Sequence, residues 1–414
     1  MRNMKRRAIY IITVLALAVS ATACARDKKY PEPPAYSGNP DGRFPLAATY
    51  AFYPPCITDL HFEWVKEAGF NIIGQNLPPA QLDSCLILAA RHDLLVRAVP
   101  YGIADTLNIP RFVEKYGANP YIWGFSGADE PNASRFPYLK RMQEIYHELI
   151  PEKNVFINLL PAVEAKQLGS KDYRAHVEDY VRTVNPPFIS FDCYPIKQTA
   201  GRGPYIDDCL WRTIEVVAEV SRESERRFWA FILCTAQPPL YPKQNRNFLR
   251  FQIFTALAYG AQGLSYFTYQ MPDFDKGKNQ FSDAPIDWDG NRTDVWYMVR
   301  DVNREVRNLE HVFLGAEVVD VSHTGPLPNA TKRLWSLPAP FLSLDSEGEG
   351  VVVSHLRNGD DEYLLLVNKD VVRKQKVNLR RSRPVTRLYG DGREKEESKA
   401  SITLDPGGYS IFRF

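Results

Sequence analysis

Residues Asp59–Gln75 read Asp-Leu-His-Phe-Glu-Trp-Val-Lys-Glu-Ala-Gly-Phe-Asn-Ile-Ile-Gly-Gln. Asp59–Ala68 is an amphipathic stretch and Asn71–Gln75 a short β-rich run, so the segment predicts a helix followed by a strand. The same alternation extends in both directions. A strand is expected at Ala47–Tyr53 before it, and at Leu95–Pro100, Ile122–Ser126, Val155–Leu160, Phe188–Asp192, Phe228–Leu233 and Gly263–Thr268 after it. Helical patterns fall at Tyr138–Ile150, Tyr173–Val184, Cys209–Glu225, Phe248–Tyr259 and Thr293–Phe313. Eight strands in about 270 residues suit a (β/α)8 barrel, for which roughly 250 residues are typical. The rival is an open doubly wound sheet, which places a Gly-rich loop after its first strand; Tyr53-Pro54-Pro55-Cys56 is no such loop. An α/β chain with a (β/α)8 TIM barrel over residues 44–315 is therefore predicted.

Beyond Gly315 the period changes from helical to alternating. Short strands are expected at Glu317–Val321, Gly350–Leu356, Tyr363–Asn368, Gln375–Leu379, Thr386–Leu388, Ser401–Leu404 and Tyr409–Arg413. Asn358-Gly359-Asp360 and Asp405-Pro406-Gly407-Gly408 provide turns between them. Residues 316–414 thus read as a small all-β sandwich.

At the other end, basic Met1–Arg7 precedes the apolar run Ala8–Ala23, which closes on Ala21-Thr22-Ala23-Cys24. As a helix that run would rise roughly 24 Å, short of the roughly 30 Å hydrocarbon core. Residues 1–24 are expected to be a bacterial lipoprotein signal. They resemble the lipobox, which implies cleavage before Cys24, acylation of its thiol and an extracytoplasmic, membrane-anchored location. An uncleaved N-terminal anchor is the alternative. Residues 25–43, rich in Pro, Lys, Asp and Gly, read as a flexible tether. The 414 residues hold 51 basic and 49 acidic side chains. Arg2, Lys5, Arg6 and Arg7 lie in the signal, leaving a near-neutral remainder with no field for nucleic acid. Cys56, Cys85, Cys193, Cys209 and Cys234 have no CxxC spacing, which argues against a zinc knuckle or a full disulfide framework. One bridge remains open.

Working residues of a barrel lie at the C-terminal ends of its strands. That rule selects Asn76 after strand two, Tyr101 after three, Asp129 and Glu130 after four, Asp192 and Tyr194 after six, Gln237 after seven, and Tyr266 and Tyr269 at eight. Aromatic faces suit sugar C–H faces, amides suit hydroxyls, and carboxyl groups suit acid–base cleavage of glycosidic bonds. Asn76, Tyr101, Tyr194, Gln237, Tyr266 and Tyr269 are the substrate-binding candidates, although strand alternation should send one of the last two tyrosines into the core. Arg97 is expected to point inward and pair with an acid, with Glu130 as a candidate. No histidine falls at a strand end, and no Walker loop or dinucleotide fingerprint occurs. No organic cofactor is implied and no metal site is assigned. The acidic loop bearing Asp273, Asp275, Asp283 and Asp287 reads as solvated. The expected partner is a carbohydrate.

Ile122-Trp123-Gly124-Phe125, leading to Asp129-Glu130-Pro131, resembles the strand-four motif of clan A glycoside hydrolases. The passage Phe251–Tyr269 is similar to the corresponding stretch of β-galactosidase-like barrels, as are the last barrel helix and the closing Pro-Gly-Gly-Tyr-Ser-Ile-Phe. The resemblance implies that Glu130 is the acid/base. It also implies an Asn before that residue, which is Asp129 here, and a nucleophilic Glu after strand seven, where Phe228–Thr235 has no carboxylate. Three readings follow. Glu130 works as general acid with Asp192 as partner carboxylate; or Asp129 orients a substrate acetamide while Glu130 protonates the leaving oxygen; or the barrel binds glycan without cleaving it.

Overall fold

The computed structural model describes residues 29–38, 41–74, 79–99, 106–278 and 280–414. Asn76, Tyr101 and Cys24 lie outside the described residues. Eight parallel strands close into a barrel: β1 (Leu46–Thr49), β2 (Ile72–Gly74), β3 (Leu95–Ala98), β4 (Ile122–Asp129), β5 (Asn154–Leu159), β6 (Phe188–Phe191), β7 (Arg227–Leu233) and β8 (Leu264–Phe267). β1 closes the ring by pairing with β8 on one side and β2 on the other. Every expected strand is present. Helices also form at Pro79–His92 and Ile109–Tyr116, where no helical pattern was singled out, and a hairpin, Ile196–Thr199 with Arg202–Ile206, follows β6.

Alternation along the strands separates two apolar layers. Ala47, Ile72, Trp123, Phe156, Phe188, Trp229 and Phe231 fill the barrel interior, while their neighbours face the surrounding helices. Gly263 lets the chain lie flat on the Trp229 indole: a Cβ there would stand 2.2 Å from the ring. Residues 29–38, expected to belong to a tether, pack instead against the barrel. Tyr30 is buried, Trp123 Nε1 donates to the Gly38 carbonyl at 2.9 Å, and Trp229 Nε1 donates to Tyr36 Oη at 3.3 Å. Their two tyrosines supply apolar area that the Pro and Lys content of the stretch conceals.

The C-terminal part is antiparallel. A six-stranded sheet runs Glu317–His323, Val351–Asn358, Asp361–Asn368, Tyr409–Arg413, Val385–Leu388, Glu394–Glu397 in spatial order. A three-stranded sheet runs Phe341–Ser346, Gln375–Arg381, Ser401–Leu404. Between them lie Val351, Val353, Leu364, Leu366, Val377, Leu379 and Phe412. The opposite face of the larger sheet packs on the barrel: Val352, Leu356, Leu365 and Val367 join its helices in one core. Tyr409 stacks on Phe254 with ring centroids 3.4 Å apart, and Ser354 Oγ donates to the Ala258 carbonyl at 2.6 Å. This explains why the helix Arg246–Ala258 is apolar on most of its circumference: it is covered by the barrel on one side and the sheet on the other.

Candidate active site

β4 contains two bulges. Val96 pairs with Ile122 and Arg97 with Gly124, leaving Trp123 as an extra residue; Ser126 pairs with Phe156 and Ala128 with Ile157, leaving Gly127 extra. Gly127 packs closely: a Cβ there would meet Met142 Cε at 2.5 Å, Ile157 Cγ1 at 3.1 Å and Val155 Cγ1 at 3.2 Å, so these side chains would have to shift. Bulges re-aim the side chains that follow. Here they bring the consecutive residues Asp129 and Glu130 to one cavity of about 520 Å³ at the C-terminal mouth of the barrel. Glu130 has φ = 46°, a left-handed backbone that costs a non-glycine residue roughly 1–2 kcal/mol. Its amide donates to the Asn158 carbonyl at 2.8 Å; both acidic residues have surface open to solvent, while their carboxyls sit among the side chains of the cavity.

Asp192 enters the same cavity from the end of β6. Asp192 stands beside Glu130, near enough that a proton on its carboxyl would favour the ionised form of Glu130. Asp192 Oδ1 is buried with no hydrogen-bond partner. Burial first, and then the charges of Glu130 and Asp129, hold the Asp192 carboxyl well above the usual carboxylate range. Burial and the Asp129 charge also raise Glu130. Burial raises Asp129, opposed by a hydrogen bond from Asn158 and by the charge of Arg97. Asn158 Nδ2 donates to Asp129 Oδ1 at 3.2 Å, and Ser190 Oγ donates to Asn158 Oδ1 at 2.9 Å, which fixes which way the amide points.

Arg97 is buried as expected, but the acid whose charge acts on it is Asp129 rather than Glu130. Its guanidinium lies 4.0 Å from the Phe156 ring centroid, and Nη2 donates to Thr49 Oγ1 at 3.4 Å. Burial brings its pKa down to about 10. Nε and Nη1 are buried and have no hydrogen-bond partner among the described residues. Such donors gain most from an acceptor supplied by a ligand or water.

The rim is aromatic. Tyr194 stacks on Phe267 with centroids 5.8 Å apart and an interplanar angle of 21°. Tyr50 meets Phe267 and Phe274 edge-on at 5.5 and 5.8 Å. Phe281 and Gln237 complete that side, and Phe274 is 49% exposed. Asp275, in the loop read as solvated, is fully buried; its carboxylate accepts the amides of Gln280 at 3.2 Å and Phe281 at 2.8 Å, which orders the loop carrying the two phenylalanines. β7 contributes Phe231 and Leu233, an apolar wall where the clan resemblance would put a carboxylate.

Five expected site residues therefore meet in one place: Asp129, Glu130, Asp192, Tyr194 and Gln237. Tyr266 and Tyr269 do not. Both are fully buried on the helix side of β8, where Tyr266 Oη donates to Asn303 Oδ1 and Tyr269 Oη accepts from Trp296 Nε1 at 3.0 Å. The reason is packing: each phenol finds a polar partner on the helix Asp294–Phe313, which lets the ring be buried without an unpaired hydroxyl. Tyr266→Phe should accordingly lower stability by about 1–2 kcal/mol, the cost of leaving the Asn303 acceptor unpaired, in a urea melt. The KM of any substrate should stay unchanged; a raised KM would return Tyr266 to the site. Asn158 and Tyr50 were missed because the expected strands ran too far: Tyr50 lay in the middle of Ala47–Tyr53, which ends at Thr49 in the structure, and Asn158 lay inside Val155–Leu160.

No family model matches the chain, and comparison with curated proteins finds no sequence relative. Solved structures do match. A β-galactosidase from Bacillus circulans sp. alkalophilus aligns with TM-score 0.61 at 9% identity, over 90% of this chain and 99% of the other. A catalytic mutant of a GH42 β-galactosidase from G. stearothermophilus aligns with TM-score 0.60 at 10% identity, over 92% and 99%. Such identities speak for architecture alone. By fold, this chain is a (β/α)8 TIM barrel followed by antiparallel β-sheets, an architecture it shares with these two β-galactosidases.

Proposed function

We propose that the chain hydrolyses O-glycosidic bonds of an oligosaccharide or polysaccharide, with Glu130 as general acid/base and Asp192 as its partner. The observation that supports this best is the meeting of Glu130 and Asp192 beside Asp129 in one aromatic-walled cavity. Asp192 is the better proton holder because it is the more deeply buried, while Glu130 is exposed and can reach a ligand. The proton passes from Asp192 through Glu130 to the leaving oxygen. The negative charge left on the pair stabilises the oxocarbenium-like centre and then accepts a proton from the attacking water. On this reading the two neighbouring carboxyls share one proton and act from one face of the substrate. That differs from the two-sided arrangement with carboxyls ~5–5.5 or ~6.5–9.5 Å apart.

A second route is favoured by the apolar Phe231–Leu233 wall and the Asn158-held Asp129. An N-acetylated sugar would supply its own acetamide carbonyl as nucleophile, with Asp129 orienting it. The test is a screen of aryl glycosides and N-acetylated oligosaccharides with wild type, Glu130→Gln and Asp192→Asn. Loss in the first variant alone favours the acetamide route, and loss in both favours the pair. Micromolar glycan binding without turnover in the wild type would leave a binding protein.

We also propose that the protein is exported and held at the membrane through a lipid on Cys24; the basic, apolar and small-residue order of residues 1–24 supports this. Radiolabelled palmitate should be incorporated by the wild type and not by Cys24→Ser. Equal labelling of the two would refute it.

A further inference from the structure

A second cavity, of about 550 Å³, lies where the hairpin after β6 meets the C-terminal sheets. That is within the roughly 300–1,000 Å³ of small-molecule sites. The hairpin supplies Arg202, whose guanidinium stands 3.9 Å from the Tyr205 ring centroid. Lys369 and Arg373, which follow the strand Asp361–Asn368, line the cavity from the sheets. Its walls are held in place by hydrogen bonds. Asn329 donates from its backbone amide and from Nδ2 to the Asp208 carboxylate at 3.2 and 2.8 Å, and the Asp370 carboxylate accepts the amides of Val372 and Arg373 at 2.8 and 2.9 Å.

The cations of this cavity lack counter-charges. Lys369 is 6% exposed, and its Nζ donates to the Pro326 carbonyl at 2.7 Å. Among the described residues no carboxylate forms an ion pair with Lys369, Arg202 or Arg373. Of the three acids that line the cavity, Asp208 is engaged by Asn329 and by Arg212 at 3.7 Å, and Asp370 by backbone amides. Glu349 remains, and its charge only partly offsets the burial that brings the Lys369 ammonium down to about 8. A buried ammonium without an anionic partner is costly, and an incoming anion removes that cost.

We propose that this cavity is a second binding site, separate from the barrel mouth, that takes a sugar bearing a carboxylate or sulfate group. Lys369 supplies the point charge, and the Arg202 and Arg373 guanidinium groups supply paired donors for the anionic oxygens. The hairpin that carries Arg202 continues directly from Asp192 and Tyr194, and the Asp207 amide returns to the Pro195 carbonyl at 2.7 Å. The choice of a sugar as the anion's carrier rests on the glycosidase reading; the affinity for an anion does not.

The test is calorimetric titration of the full-length Glu130→Gln protein, which leaves this cavity unaltered, with a galacturonic acid trisaccharide, a chondroitin sulfate tetrasaccharide and neutral maltotriose. At least one acidic probe should bind, more weakly as salt rises, and maltotriose should not. Adding Arg202→Ala or Lys369→Met should weaken that binding by about tenfold or more, the worth of one charge-assisted hydrogen bond. Arg202 is exposed, so its removal tests the site independently of how well Lys369→Met folds. Absence of binding by both acidic probes, equal binding of maltotriose, or unchanged affinity in Arg202→Ala would overturn the proposal. Salt-sensitive binding lost in Arg202→Ala, together with no turnover of any glycoside by the wild type, would remove the proposed hydrolysis and leave this site standing.

Discussion

Glu130→Gln is expected to lower kcat on any cleaved glycoside by about 10²–10⁴-fold, the range that a positioned general acid contributes, with little change in KM. The amide keeps the size of the carboxyl and its ability to accept a hydrogen bond, so binding should survive while proton delivery does not. The loss should depend on the leaving group. A poorly basic aryl alkoxide departs with little protonation and should lose least, whereas a sugar alkoxide should lose most. Steady-state kinetics across an aryl series measures this directly. An equal loss for every leaving group would mean that Glu130 shapes the cavity without delivering a proton. The φ of 46° at this position gives the second control: Gln tolerates that backbone no better than Glu, so unchanged melting would show that the kinetic loss is chemical.

Asp192→Asn is expected to reduce kcat by about 10²-fold or more and, at the same time, to stabilise the fold above neutral pH. The sign follows from proton linkage. Burial and the neighbouring acids raise the folded pKa of Asp192 above its unfolded value, so the native state holds a proton that the unfolded chain releases. The stability this group contributes is fully present below the ordinary Asp value, near 4, and is lost as pH rises through the raised folded value. Asparagine does not titrate and carries no charge to bury. The melting temperatures of variant and wild type should therefore agree near pH 4 and diverge in favour of the variant by pH 8. A gain of about 1–2 kcal/mol is in the range for removing a strained active-site charge, equivalent to a few degrees in a chain of this size. A pH-independent difference, or a less stable variant at pH 8, would contradict the assignment of Asp192 as the buried proton holder.

Much of the architecture is legible in the residues because it rests on local periodicity. Asp59–Gln75 and its repetitions specify strand and helix through side-chain spacing, and eight repetitions leave little besides a barrel. The hairpin Ile196–Thr199 and Arg202–Ile206 and the strands Phe341–Ser346 and Glu394–Glu397 were not legible, because their exposed faces break the apolar alternation that marks a strand. The packed part of the tether stretch was concealed for a different reason. Tyr30 and Tyr36 gain their burial from distant groups such as Trp229, and spacing along the chain does not report on those.

The candidate site divides in the same way. Sequence alone determined that Asp129, Glu130 and Asp192 would stand at strand ends, since the position of a residue along a barrel strand decides which mouth it faces. It also determined that β7 would present no carboxylate. Only the tertiary structure decided that Glu130 and Asp192 line one cavity, that Arg97 lies within reach of the Asp129 charge, and that Tyr266 and Tyr269 belong to the core. The first two depend on the bulges in β4, the third on partners in the helix Asp294–Phe313, and all on residues far apart in the chain. Strand periodicity says which end a side chain is near; the register between neighbouring strands says what it touches.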